Sequence, residues 1–526
     1  MTCSTLLCAL VLASALLCAG SCCRAEKSTG GRSLLQAGWT GYDSGETSQP
    51  VLEFEVPAHA KDGAGCFASP VASDELGNIY LAWLDPSVRL KVARKDPTGQ
   101  VTTAVIEEHA GIDEDHFNAS LGMDKFGYLH VVWGVHNSRW KYKVSRAPRD
   151  ITEWDDTGPL RDGEAGNPRG LPGVEVSYPS FFKDRDRDLY LAFRSRVSTK
   201  GWEAGDQSGG LARYAANPDA RKGRWRMLGG RNHPHADNPE IHAWGGRALL
   251  WTGLVGRPDS PAYQSYMISH AVGHDGRIHV SWAFNDNTVK AWEVHQFGYA
   301  ASADKGETWA GADGRRFDSL PMTDTHYDGV TNDRENVWYQ MPFVFLDAEG
   351  RPWVSAANST RRVMQWWHPT GSTWSRSDAG QGGSPGRIFS DGYGKAYTFG
   401  RDALWTTTDA GASWTQTPVP SPGAWNAIPD YDYLYSTANL RYMAFVDGSV
   451  KRVYTIRFPG HVWKTAAPSC PRSLLFDGGA GGRRVSSVAA LAWDMDFCYE
   501  DGALYVYSAA GSPSARWTHP GVEAIF

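Results

Sequence analysis

The chain has no surplus of basic residues: 52 Lys and Arg stand against 58 Asp and Glu, giving a net charge of −6 and a pI near 6.2. Nucleic-acid binders neutralise phosphates with a basic face, so this balance argues against nucleic acid as a partner. The sequence also lacks a charge anywhere in its first 23 residues, where Leu6 to Ala19 form an apolar run ending in the small residues Gly20 and Ser21. That run is shorter than the roughly 20 residues a membrane helix needs, so no membrane span is expected. Residues 1–23 read instead as a secretory signal peptide, despite the missing basic n-region, and the mature protein as secreted. Residues 24–48, rich in Gly, Ser and Thr, read as a flexible leader. Cysteine is scarce beyond the leader, with Cys66, Cys470 and Cys498 alone remaining after cleavage. Three cysteines cannot all pair within one chain. We expect a disulfide between Cys470 and Cys498 with Cys66 left over; a structural metal held by all three and a histidine is the alternative, although no C-x-x-C spacing supports it.

Long helical patterns are absent too. What is present is a repeated phrase, a polar turn followed by an alternating apolar strand that ends in an aromatic residue. It occurs at Asp74 to Trp83, Asp124 to Trp133, Asp184 to Phe193 and Gly273 to Trp282, with looser versions from Asp347 and Ser390. Alternation with period two, bounded by Gly and Asp, predicts short antiparallel strands. A recurrence of roughly 50–60 residues suits a β-propeller, whose blades bury their faces only against neighbours. The predicted fold is therefore all-β, a propeller over residues 49–526 whose period allows six to eight blades. Ser302-Ala-Asp304-Lys-Gly306-Glu-Thr-Trp309 and Thr407-Thr-Asp409-Ala-Gly411-Ala-Ser-Trp414 resemble the Asp-box of sialidase-type propellers. Asp can bond the amides of a tight turn, Gly permits positive φ, and Trp packs the turn onto its blade, so these boxes speak for fold and not for catalysis. The recurring Trp83, Trp133 and Trp282 read as packing residues for the same reason.

Two residue pairs stand symmetrically about two of the turns. His116 and His136 are equidistant from Phe126, and Tyr178 and Arg194 from Asp186. If each turn closes a hairpin, equidistant residues face each other across the strands at roughly 4.5–5.5 Å between Cβ atoms. Each pair then lies at the end away from the turn, where loops form the mouth of a propeller. His130 has the parity of His136, but six residues at about 3.3 Å each separate them by some 20 Å, so His130 reads as structural. Asn118 shares the strand face of His116 and begins the sequon Asn118-Ala-Ser120; a second sequon is Asn358-Ser-Thr360. A glycan on Asn118 would obstruct a cleft at His116, so either Asn118 is unmodified, as we expect of an enzyme, or the site is not catalytic. Basic residues concentrate between Arg139 and Arg231, where a solvated surface is as good a reading as an anion site.

The segments around His116, His136, Tyr178 and Arg194 resemble the BNR-repeat family that includes propeller-type ulvan lyases of polysaccharide lyase families 24 and 25. The resemblance runs from about Pro50 through the Asp-box at Trp309, and more weakly to the C-terminus, and implies seven blades. It implies that His116 and Tyr178 transfer protons, that Arg194 neutralises a uronate carboxylate and that His136 orients or binds substrate; Asn118, on the strand face of His116, is a further substrate-binding candidate. A further substrate tyrosine of the family is matched by Tyr263, which strand parity favours over Tyr266. The chain departs from the family in an insertion containing Arg231-Asn-His-Pro-His235 and in Ala283-Phe-Asn285, and both departures bear on the substrate.

A lyase of this kind removes the C5 proton of a uronic acid and expels the C4 oxygen. Charge grows on the carboxylate, so a cation must stabilise it, while His and Tyr can serve as acid or base. No cofactor is required. The expected function is cleavage of an acidic, ulvan-like polysaccharide by β-elimination, carried out by a monomer. The alternatives are a non-catalytic propeller that binds glycans or proteins and, ranked lower because no Arg-Ile-Pro motif occurs, a sialidase-like hydrolase.

Overall fold

The computed structural model describes residues 32–34, 40–41, 47–62, 68–111, 118–156, 171, 175–196, 207–230, 249–250, 263–286, 294–322, 327–332, 342–358, 363–378, 387–400, 402–420, 427–437, 439–458, 462–466, 473–476, 480–481, 483–484, 496–500, 503–507 and 522–525. They fall into two compact units, one within 49–456 and one drawn from the residues before and after it.

The larger unit is an all-β, seven-bladed propeller. Blade 1 begins with strand Val71–Ser73, blade 2 with Ser120–Met123, blade 3 with Glu175–Lys183, blade 4 with Tyr263–Val272, blade 5 with Phe343–Leu346, blade 6 with Ile388–Ser390 and blade 7 with Ala427–Pro429. Each blade is an antiparallel meander, and the first strands of blades 1 to 3 lie side by side in turn, as do those of blades 4 to 6. Serines on or beside these strands stitch the ring. Phe181 N donates to Ser69 Oγ at 2.8 Å, Ser120 Oγ to the Pro179 carbonyl at 2.6 Å, and Val344 N to Ser269 Oγ at 3.2 Å. Blade 7 is completed by the N-terminal strand Val51–Pro57, which pairs with Val450–Ile456 and closes the ring.

The repeated phrase has a common physical basis. Asp74, Asp124, Asp347 and Asp391 each accept the backbone amides two and four residues on, which fixes the turn between the first two strands. The residue six positions on then reaches back to the same carboxylate. Tyr80, Tyr190, Trp353 and Tyr397 do so on Asp74, Asp184, Asp347 and Asp391. In blade 2 that place belongs to His130, fully buried, with Nε2 3.7 Å from Asp124 and Nδ1 2.6 Å from Tyr142 Oη. His130 is thus a structural residue of the repeat. Trp83, Trp133 and Trp282 are likewise buried in the core.

Both Asp-boxes are local turns. Ser302 Oγ donates to Asp304 and accepts from Gly306 N, Asp304 accepts Thr308 N at 2.8 Å, and the Trp309 indole donates to the Gly306 carbonyl. Gly306 has φ +87°, a conformation that favours glycine. The second box repeats these bonds through Thr407, Asp409, Gly411 and Ser413.

The predicted propeller running to the C-terminus needs correction. Its seventh blade ends at Ile456, and the smaller unit holds two further sheets. In one, Arg32–Leu34 and Ser473–Phe476 flank Val522–Ile525; in the other, Thr40–Gly41 pairs with Val462–Ala466 beside Ala503–Tyr507. Part of the expected leader is therefore paired β-structure. The repeated phrase is missing from residues 457–526, and that absence in the sequence marks where the blades stop. The signal peptide lies outside the described residues, as do Cys66 and Cys470; Cys498 lies in strand Asp496–Glu500, its side chain also outside them.

One seven-residue α-helix, Tyr431–Thr437, joins the first two strands of blade 7 and packs on the first strands of blades 1 and 3. Asp430 caps it by accepting Tyr433 N at 3.0 Å. Among the described residues no helix is long and apolar enough to cross a membrane.

Candidate functional site

Tyr178 sits in the first strand of blade 3, just before Pro179, which has no amide to donate to a ladder. From Lys183↔Leu189 to Ser180↔Ala192 the strand keeps the symmetry of its turn, but beyond that Ser177, not Tyr178, stands opposite Arg194. Tyr178 and Pro179 together face the single residue Phe193, a β-bulge. Tyr178 takes φ +57°, which for a bulky residue costs on the order of 1–3 kcal/mol and is found mainly at functional positions. The expectation of Tyr178 and Arg194 as direct cross-strand partners is therefore corrected by one residue. The two side chains meet all the same, with the Arg194 guanidinium carbon 4.6 Å from the Tyr178 ring centroid.

His136 arrives by a route that equal spacing does not describe. The strand Leu129–Val132 of blade 2 stops four residues short of it, and the chain turns at Gly134, φ +59°. The excursion then pairs Ser138 and Arg139 with Val176 and Glu175 of blade 3 before returning to blade 2 at Tyr142. Trp140, fully buried and 4.9 Å edge-on from Phe193, anchors it. The excursion places His136 over the bulge, with Nε2 3.2 Å from the Tyr178 hydroxyl and the rings 5.4 Å apart. Asn137 then receives Arg194: Nη2 donates to Asn137 Oδ1 at 3.1 Å and to Ser177 Oγ at 3.3 Å, while Asn137 N donates to Ser177 Oγ at 2.8 Å. Asn137 and Ser177 were not singled out from the sequence. Each adjoins a residue that was, which is the one signal pointing to them.

The structure thus brings together His136, Tyr178 and Arg194, with Tyr178 and Arg194 buried and His136 half-buried. Asn118 is buried in blade 2, close in sequence to Ser120, whose hydroxyl bonds the bulge at Pro179. His116 lies outside the described residues. Tyr263 begins the first strand of blade 4 opposite Asp286, and its side chain is outside them as well. That strand carries the same bulge, between Ser265 and Ile268, so Tyr266 occupies the backbone place that Tyr178 takes in blade 3. The parity that favours Tyr263 holds only for an unbroken strand.

Several basic residues between Arg139 and Arg231 are surface ion pairs rather than a ligand site, as Lys143 with Glu107, Arg146 with Asp155 and Arg213 and Arg226 with Glu307 show. Among the described residues no cluster of three or more His, Cys, Asp or Glu is placed to hold a metal ion.

Tyr178 and Arg194 also line a narrow cavity that reaches the first strands of blades 4, 5 and 6 and the helix residue Tyr431. Its other polar side chains are Ser180, Ser269, His270 and Arg387, with no Asp or Glu among the described lining. Burial, with the Arg387 charge adding to it, pushes the His270 pKa down to about 3, so this imidazole is neutral. The cavity therefore offers cations, hydroxyls and aromatic faces, a lining fitted to anionic, hydroxyl-rich ligands.

The model of the BNR repeat-containing family matches residues 78–381, and the chain belongs to this family. Among solved structures, it is similar to a PL25 ulvan lyase bound to -[GlcA(1-4)Rha3S]-, with a TM-score of 0.53 and 16% identity over 78% of this chain and 96% of the other. It is also similar to the polysaccharide lyase Uly1, with a TM-score of 0.52 and 14% identity over 74% of this chain and 89% of the other. At such identities the likeness establishes the fold. No curated protein sequence matches the chain.

Proposed function

We propose that this protein is a secreted polysaccharide lyase that cleaves a uronate-containing, ulvan-like polymer by β-elimination. The observation that carries this reading is the triad on the bulge: a tyrosine hydroxyl 3.2 Å from a histidine nitrogen, with an arginine stacked 4.6 Å from the same ring. Arg194 pairs with the uronate carboxylate and stabilises the charge that grows there as the C5 proton leaves. The C4–O bond then breaks, a C4=C5 double bond forms, and the departing oxygen takes up a proton. Tyr178 and His116 are the two proton carriers, acting on opposite ends of the eliminated pair, and His136 orients the Tyr178 hydroxyl. No cofactor enters this reaction. A glycoside hydrolase of the usual kind works with two carboxylates flanking the bond, whereas the lining described here offers none. The saccharide bound to the similar PL25 ulvan lyase, a glucuronate linked to a sulfated rhamnose, supplies the first polymer to try. The charge-free residues 1–23 support export.

The test is a panel of uronate polysaccharides incubated with purified protein and followed by ultraviolet absorbance of the unsaturated product. Arg194→Ala is expected to lower kcat by about 10²–10³, the usual cost of losing one stabiliser of transition-state charge. Tyr178→Phe, which removes only the hydroxyl, is expected to be nearly inactive with its melting curve intact. Saturated reducing ends from the wild type would mean hydrolysis, and binding with no product would mean a glycan-binding module.

A further inference from the structure

The guanidinium of Arg387 lies just before the first strand of blade 6 and lines the same cavity as Tyr178 and Arg194. It is only 7% exposed. Nη2 donates to the Tyr431 hydroxyl at 2.7 Å, and the group rests near the rings of Phe343 and Tyr431. Nε and Nη1 are buried without an acceptor. A buried cation is costly unless it is paired and its donors are met. None of the described neighbours supplies the missing negative charge. Burial, only partly offset by Arg387 itself, raises the Tyr431 pKa, so this phenol keeps its proton. His270 is neutral, for the reasons given above. Asp432, next along the helix, is committed to Lys183 at 2.8 Å. Arg387 is thus a second arginine in a cavity whose described lining holds no carboxylate, with two donors unmet.

We propose that Arg387 is an oxyanion subsite, and that it receives a second anionic substituent of the polysaccharide, a sulfate ester or a further carboxylate, while Arg194 holds the uronate being cleaved. Naming the polysaccharide as the bearer of the anion rests on the lyase reading; the anion site itself does not. Arginine suits this task because its charge is permanent and its planar array of donors matches the oxygens of sulfate and carboxylate. Its place in the same cavity as Tyr178 and Arg194 gives the subsite a role in substrate choice: a polymer that brings no second anion to it leaves Arg387 buried and unmet, a penalty that a polymer bearing one there removes.

The first experiment needs no polymer. Inorganic sulfate is titrated into the full-length protein at constant ionic strength, with chloride as the balancing salt, and thermal melting is followed. A saturable rise in Tm is expected for the wild type. It should shift to at least tenfold higher sulfate in Arg387→Met and be partly kept in Arg387→Lys, which retains the charge if the methionine variant folds poorly. The same sulfate dependence in wild type and Arg387→Met, or none in the wild type, overturns the proposal. The second experiment compares sulfated and chemically desulfated polymers in the lyase assay. If the ligand is a sulfate ester, Arg387→Met raises KM about tenfold on the sulfated polymer and leaves the desulfated one unchanged; if it is a carboxylate, KM rises equally on both. No rise on either polymer overturns the role in substrate binding. Should no polymer yield an unsaturated product, the lyase reading falls, while the sulfate titration still decides the anion site.

Discussion

Tyr178 is held in a left-handed conformation by its neighbours rather than by its own preference. Pro179 removes one ladder bond, and Ser120 fixes the Pro179 carbonyl from the adjoining blade. A second consequence at this scale concerns buried histidines. Burial lowers the pKa of His279 to about 4 and that of His270 to about 3, against a usual value near 6.5. A depressed folded value means that the unfolded chain takes up the proton first, so stability is complete above about pH 6.5 and declines as the pH falls toward 4 and then 3. His279→Gln should flatten the fall of Tm with acidity by about one proton's worth of slope. An unchanged slope would show that His279 titrates normally. The two sequons belong here as well. Asn358 is fully buried and donates to Gln365 Oε1 at 3.2 Å, and Asn118 is buried two residues before Ser120. Glycopeptide mass spectrometry of protein secreted from a eukaryotic host should find both asparagines bare; a glycan on either would contradict the packing described.

At the scale of strands and turns, the bulge decides which residues meet. Turn positions, the Asp phrases and the ends of the hairpins were legible, because each rests on local chemistry of Asp, Gly and alternating apolar residues. The pairing of Tyr178 with Arg194 was legible in outcome but not in register: counting from the turn assumes an unbroken ladder, and Pro179 was the visible sign that it is broken. His136 was singled out by equal spacing about its turn, yet it reaches Tyr178 through the excursion of residues 133–141, which leaves no periodic signal. The buried Arg387 was not legible, because an arginine before a short strand looks like any surface charge until its burial is known. The shared bulge gives an expectation for blade 4. Tyr266→Phe should impair turnover more than Tyr263→Phe, since Tyr266 holds the place equivalent to Tyr178. Kinetics of the two variants on one polymer settle the order, and a larger loss in Tyr263→Phe would restore the reading from parity.

For the whole molecule, stability depends on blade contacts and on the closing strand. Phe54 in that strand is buried against Val71, Ile79, Met443 and Val453, joining blade 7 to blade 1. Phe54→Ala should cost about 3–5 kcal/mol in urea unfolding, the usual range for a buried Phe. A loss below about 1 kcal/mol would show that closure contributes little, since it would match a mere surface change. The number of blades followed from the repeat and the family resemblance. The boundary at Ile456 did not, because a reading built on repeats registers where they fade but not what the remaining chain builds.

Closure by Val51–Pro57 has a consequence for how the molecule is made. The other six blades are meanders that can form as they leave the ribosome, each from neighbouring segments. The strand that closes the ring is translated ahead of all of them, yet its partner, Val450–Ile456, comes almost last. Through most of synthesis it therefore waits as an unpaired edge, with Phe54 and Val56 exposed and its amides open to any passing strand. A ribosome stalled before residue 456 would release a chain with a free strand at one end and an incomplete sheet at the other, able to join a second such chain head to tail.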